Sequence, residues 1–145
     1  MDLSHLIYVS ASTERKLGIE DVKKFVNGCR PANESIDVTG MLIFIDGAFF
    51  QVLEGDRPVI EALFDKISMD KRHRRVTKLV AESIPEREFS EWSMGLSHLS
   101  ASEIAKIPGL KSFFANGSSI LDMEEGRAKE LLSAFSAGKW RSSLN

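Results

Sequence analysis

A single cysteine, Cys29, leaves the 145-residue chain without a partner for an intrachain disulfide or a thiolate cluster for a metal. Its three histidines, His5, His73 and His98, share no short ligand spacing, so zinc is not expected. Basic charge is scarce too: 19 Lys and Arg stand against 21 Asp and Glu, a formal net charge of -2, whereas a duplex-binding surface shows a basic excess. No apolar run approaches the roughly 20 residues of a membrane span, and Met1–His5 lacks the basic and apolar segments of a secretory leader. A cytoplasmic location, no membrane and no direct nucleic-acid contact are the expectations. Nucleophile elbow, P-loop, Rossmann glycines and His-Glu metal helix are all absent, so hydrolysis and nucleotide transfer have no anchor.

What is present is an ordinary globular composition, 43% apolar and 28% charged, in a chain long enough to bury one core without covalent staples. Leu3–Ser10 reads as a strand rich in β-formers. From Ile19, the positions Val22, Phe25, Val26 and Cys29 recur at helical spacing, and Gly28 to Pro31 reads as the stop. Val38–Ile45 and Ala48–Leu53 flank Asp46-Gly47, a dipeptide suited to a tight hairpin turn. A second helix starts after Asp56, its expected N-cap, with Pro58 in the first turn, and ends near Asp70; Val59, Ile60, Leu63, Phe64 and Ile67 form its apolar stripe. The basic run Lys71–Arg75 reads either as a solvated helix end or as a phosphate contact.

Val76–Ile84 is expected as the fourth strand and Trp92–Leu99 as a fifth, weakened by Gly95. The order β-α-β-β-α-β-β predicts an α+β, ferredoxin-like sandwich: a five-stranded mixed sheet with two helices on one face. Beyond about Ser100 a short helix at Ser102–Lys106, a loop at Asn116–Ser119 and a helix over Met123–Ala137 are expected. The last is read as a C-terminal helical cap that covers the far sheet face or binds a partner. Residues 1–99 thus form the main domain and 100–145 an extension.

Polar residues inside apolar strands are the chemical clue. Tyr8 sits within the first strand, and Gln51 interrupts Ala48–Leu53, sharing a face with Phe49 and Leu53. A buried primary amide must satisfy two donors and an acceptor, so it belongs to a network. Singly, each residue has a plainer reading: Tyr8 packed with its hydroxyl at the rim, Gln51 on a solvated face, Asn33 in a turn, Trp92 and Met94 in the core.

Together they resemble a family. Val38-Thr39-Gly40-Met41-Leu42, Gly47 through Gly55, Asp70-Lys71-Arg72-His73 and Trp92-Ser93-Met94, in that order, are similar to the BLUF pattern of blue-light sensors using flavin, over residues 3 to about 98. The resemblance implies a noncovalent flavin, FAD or alternatively FMN or riboflavin, slotted between the two helices. By that pattern Tyr8 and Gln51 match the photoactive pair, Asn33 the amide on the flavin, and Ser10 a neighbouring position. Phe25 and Ile67 match the ring's apolar walls, Phe49 shares Gln51's face, and Asp70, Arg72 and His73 lie toward the ribityl and phosphate side. Trp92 and Met94 match a pair that trade places near the glutamine.

The chain departs from the pattern in one extra residue between Tyr8 and Asn33 and in Ala32, where relatives often carry a polar side chain. The implied mechanism is light-driven electron and proton transfer from Tyr8 by way of Gln51, which leaves the amide rotated or tautomerised. Only about 45 residues follow the sensor, so output is expected through a separate effector protein or self-association into a homo-oligomer, without an enzymatic step. The alternatives are a light-independent ferredoxin-like ligand-binding or interaction module, and an acylphosphatase-like hydrolase using Ser10-Ala11-Ser12-Thr13 and Arg15.

Overall fold

Strand β1 (Leu3–Ser12) alternates its side chains between two apolar layers, and its central residues are buried on both sides. The computed structural model describes residues 1–13, 17–45, 47–98, 106 and 120–136. In it β1 is followed by α1 (Ile19–Ser35), β2 (Thr39–Ile45), β3 (Ala48–Asp56), α2 (Arg57–Ser68), β4 (His73–Ser83) and β5 (Gly95–His98). The sheet runs β4-β1-β3-β2-β5. All pairings are antiparallel except β2 with β5, which makes the sheet mixed, as expected.

The β2–β3 hairpin closes through Ile45 opposite Ala48, with Gly47 at φ 80°, a left-handed conformation that glycine adopts without strain. Gly40 answers a different need: a Cβ there would lie 1.9 Å from the Val52 carbonyl oxygen. On the outer strand, β4 bulges twice against β1, and Arg75, at φ 55°, lies in the second bulge.

Several boundaries differ from the expected ones. Helix α1 runs through Gly28 and Pro31 to Ser35. The exposed Pro31 forfeits one backbone bond, but the last turn that it admits buries Asn33, whose carbonyl receives the Ile36 and Val38 N–H groups. Asp56 flanks α2 without capping it, because its carboxylate accepts the Asp2 N–H at 2.9 Å. α2 ends at Ser68, and β4 begins at His73 instead of Val76, so the basic run forms a turn and a strand start, not a helix end. β5 excludes Trp92–Met94, since Trp92 and Met94 pack against opposite sheet faces and residues i and i+2 of a strand share one.

α1 and α2 cover the face bearing Leu6, Tyr8, Leu42, Phe44 and Leu53. The other face, with Ile7, Val9, Met41, Ile43, Phe50 and Val52, is closed by Phe89 and by the C-terminal helix α3 (Glu125–Ser136), which contributes Ala128, Leu131 and Leu132. A short 3-10 turn, Ile120–Asp122, precedes α3. The cap reading is met in its first form: α3 covers the far face. Asp46, Leu99, Ala137, the 116–119 loop and the 102–106 helix, apart from Lys106, lie outside the described residues.

Candidate functional site

Tyr8 and Gln51 are directly opposite each other on β1 and β3, and both point into the layer under α1 and α2. Cross-strand partners are the closest side-chain neighbours in a sheet, and here the Tyr8 hydroxyl donates to Gln51 Oε1. Gln51 Nε2 donates onward to Met94 Sδ at 3.3 Å. The relay is desolvated: Tyr8 is 3% exposed, Gln51 8% and Met94 2%. Burial pushes the Tyr8 phenol well above its ordinary value, so the side chain is neutral at physiological pH.

These neighbours select one orientation of the amide. A thioether sulfur accepts but cannot donate, whereas a phenol does both. With Nε2 toward Met94 and Oε1 toward Tyr8, both ends are paired; rotated by half a turn, Oε1 would face a sulfur with no proton to give. Leaving a buried acceptor unpaired costs about 1–3 kcal/mol, so a second orientation needs a donor from elsewhere.

Tyr8 and Gln51 form the floor of a cavity of about 210 Å³ between the helices. On the same measure one water needs about 10–15 Å³, so the space suits a flat organic group. Phe25, Phe49, Ile67, Leu42, Leu53 and Leu63 supply apolar wall; Asn33, Asp70, Arg72 and His73 supply polar lining. At the mouth the Arg72 guanidinium lies 4.2 Å from the centre of the Phe25 ring and bridges Asp70 through two nitrogens. That guanidinium holds the Asp70 carboxyl down at about 2.

His73 is fixed by two bonds. Its Nε2 lies 2.7 Å from the Ile67 carbonyl, which can only accept, so Nε2 carries a proton. In the neutral ring Nδ1 then accepts from Ser10 Oγ at 2.9 Å. Thr13 Oγ1 likewise donates to the Lys71 carbonyl, so two hydroxyls of the hydrolase alternative, those of Ser10 and Thr13, are engaged in bonds within the fold.

Of the residues singled out from sequence, Tyr8, Phe25, Asn33, Phe49, Gln51, Ile67, Asp70, Arg72 and His73 meet in one cavity. Met94 touches the relay from beside it, and Ser10 acts on His73. Trp92 is not part of the lining: it stacks on Phe89, centroids 5.8 Å apart, against the far-face cluster. Residues not anticipated include Asp21 and Cys29 on α1. Asp21, Phe25, Cys29 and Asn33 follow a four-residue step, so a helix continued past Pro31 would have placed them together. Burial pushes the Cys29 thiol up.

Also missed was Glu54, a fully buried carboxylate on the far face. It accepts the Glu88 N–H at 2.6 Å, the Phe89 N–H at 3.1 Å and the Thr39 hydroxyl at 2.8 Å, and so pins the β4–β5 connection.

The donor set fits a flavin. Asn33 spends one amide proton on the Ser93 carbonyl at 2.9 Å, which leaves its second proton and Oδ1 for a ligand. Gln51 keeps one proton and one lone pair. Two such carboxamides match the alternating N–H and carbonyl groups along one edge of a flavin ring, the apolar walls suit its faces, and Arg72 at the mouth suits a phosphate.

Comparison with known proteins agrees. The chain is 37% identical over 111 residues to photoactivated adenylate cyclase subunit alpha of Euglena gracilis, a match covering 76% of this chain and 11% of that protein. It is 28% identical over 134 residues to the blue light- and temperature-regulated antirepressor BluF of Escherichia coli K12, covering 92% of this chain and 32% of that protein. The chain thus spans from about a tenth to a third of the length of these curated relatives. Among solved structures, the photo-activated state of BlsA superposes with a TM-score of 0.80 at 29% identity, covering 92% of this chain and 94% of that one. The dark-state structure of BlrB, a BLUF protein, gives 0.73 at 27% identity, covering 94% and 96%. Residues 3–95 match the BLUF family, described as sensors of blue light using FAD, and this chain belongs to that family.

Proposed function

We propose that Tyr8, Gln51 and Met94 are the switch of this blue-light sensor, and that residues 1–99 sense while residues 100–145 carry the response outward. The observation that carries the reading is the continuous buried relay from the Tyr8 hydroxyl through the Gln51 amide, both on the floor of the cavity, to Met94 Sδ beside it. The flavin supplies absorption of blue light and, once excited, the pull on an electron. Tyr8 is the donor: its phenol is neutral, desolvated and aimed at Gln51, so its proton leaves along the hydrogen bond as the electron departs. Gln51 relays the proton and, once electron and proton have returned to Tyr8, is left in a second arrangement with no net oxidation or reduction. Asn33 orients the ring edge, Phe25, Phe49 and Ile67 exclude water from its faces, and Asp70, Arg72 and His73 hold the mouth.

The output has a physical route. Met94 packs on the cavity side and Trp92, two residues earlier, on the side that α3 covers. A change in what Met94 can accept from Gln51 therefore moves a segment anchored in both layers. This reading ends in a change of the surface offered by α3, whose outward residues include Glu125 and Glu130, to a separate effector or a second copy of the chain. It assigns the chain a cytoplasmic sensing role with no catalytic step of its own. The helices of the described residues include none long and apolar enough to cross a membrane.

The test is the absorption spectrum of the purified chain before and after blue light. The reading expects a yellow protein whose flavin band moves to longer wavelength in the light and returns in darkness. Protein that stays colourless after reconstitution with flavin would favour the light-independent module.

A further inference from the structure

Three consecutive carbonyls before β5 are each held by a different residue, one on β2 and two on α1. The Trp92 carbonyl receives the Gly40 N–H of β2 at 3.1 Å, the Ser93 carbonyl receives Asn33 Nδ2 at 2.9 Å, and the Met94 carbonyl receives Arg30 Nε at 2.9 Å. A short, irregular stretch has no ladder to fix it, so its backbone is as well placed as these bonds make it. The third bond is the charged one and the closest to the thioether that meets Gln51. Arg30 is itself braced, because its Nη1 donates to Asn27 Oδ1 one turn earlier on α1. A guanidinium held at two nitrogens has a defined plane, which a lysine ammonium does not reproduce.

We propose that Arg30 is a positioning residue for the photocycle: by fixing the Met94 carbonyl, it sets where Met94 Sδ sits as acceptor for the Gln51 amide. The inference rests on the photosensor reading above. Arg30 is half-buried on α1 and is absent from the cavity lining, so it acts through Met94 and not on the cofactor. Loosening Met94 weakens the one orientation of Gln51 that its sulfur favours, and that alters how fast the light-formed arrangement relaxes. The same loosening is visible without light, as faster exchange of the backbone amides that begin β5.

The experiment compares the flavin-loaded full chain as wild type, Arg30→Met and Arg30→Lys, with Met94→Leu and the double variant Arg30→Met/Met94→Leu. Arg30→Met is expected to keep its flavin, to change the dark recovery rate about tenfold, or about 1.4 kcal/mol of barrier, and to speed dark-state amide exchange over residues 93–97. Arg30→Lys, which keeps the charge and one donor, is expected to lie between Arg30→Met and wild type and also covers the case in which Arg30→Met does not fold. In the Met94→Leu background, which has no sulfur acceptor, removing Arg30 should leave recovery unchanged. Wild-type recovery and exchange in both single Arg30 variants would overturn the proposal, and so would an undiminished Arg30→Met effect in the Met94→Leu background. If wild type itself shows no light-driven shift, it is the photosensor reading that fails; a normal wild-type shift with unaffected Arg30 variants sinks only the positioning role.

Discussion

The two faces of this sheet are built from the same strands by alternation, yet they solve opposite problems. The far face, under α3, is filled by Ile7, Val9, Ile43, Phe50, Val52 and Leu131, all at most 1% exposed. The near face places Tyr8, Ser10 and Gln51 among its apolar residues and keeps a cavity of about 210 Å³ under two helices. Close packing gives a core one low-energy arrangement, whereas a buried polar relay can have two paired states separated by a barrier. Under the function proposed above, the contrast is a division of labour: one face supplies rigidity, the other the switch. The β4–β5 connection joins them, pinned on the far side by Glu54 and reaching Gln51 on the near side through Met94.

The sharpest break in that contrast is at the relay. Tyr8→Phe or Gln51→Leu should abolish the light-driven spectral shift while flavin stays bound; a normal photocycle in either variant would remove the near face's special status. Next come the two cores. Ile43→Ala on the far face should cost about 2–5 kcal/mol in chemical denaturation without moving the dark absorption band, whereas Leu63→Ala, which lines existing open space, should cost less and instead speed flavin loss. Equal stability costs at both positions would mean that the two faces are packed alike.

A smaller effect concerns alkaline pH. Tyr8 is the chain's one tyrosine, so phenolate absorbance reads it alone. Its folded value is raised above the unfolded value of about 10, so its contribution to stability is complete below pH 10 and is lost as pH climbs toward the folded value. Phenolate should therefore appear together with unfolding; ionisation near pH 10 in the folded chain would show the phenol to be solvated. The smallest effect is at the mouth. The Asp70 value, lowered to about 2, places that pair's stabilisation above pH 3.8 and its loss as pH falls through about 2. Because the pair is part-exposed, Asp70→Asn should cost no more than about 1 kcal/mol at neutral pH, checked by thermal melting in low and high salt.

Much of this was legible in the sequence because its periodicities are clean. Asp46-Gly47 between two apolar runs located the hairpin, and alternation around Gln51 put it beside Phe49 on the cavity side. What resisted reading is non-local. Pro31 is a stop signal by local rules, but the tertiary reward of burying Asn33 overrides it, and only the folded layer reveals that reward. The opposite placement of Trp92 and Met94 is set by three carbonyl contacts from distant elements, not by propensity in the segment itself. The burial of Glu54 is equally non-local, since its carboxylate is satisfied by the Glu88 and Phe89 N–H groups of a distant connection.

Gln51 is the chain's one glutamine, so glutamine labelled with heavy isotopes in its side-chain amide marks a single site. The light-minus-dark infrared difference spectrum of the flavin-loaded chain should contain amide bands that move with that label, because light changes what Oε1 and Nε2 are bonded to. A normal visible photocycle whose infrared difference spectrum is indifferent to the label would contradict the account.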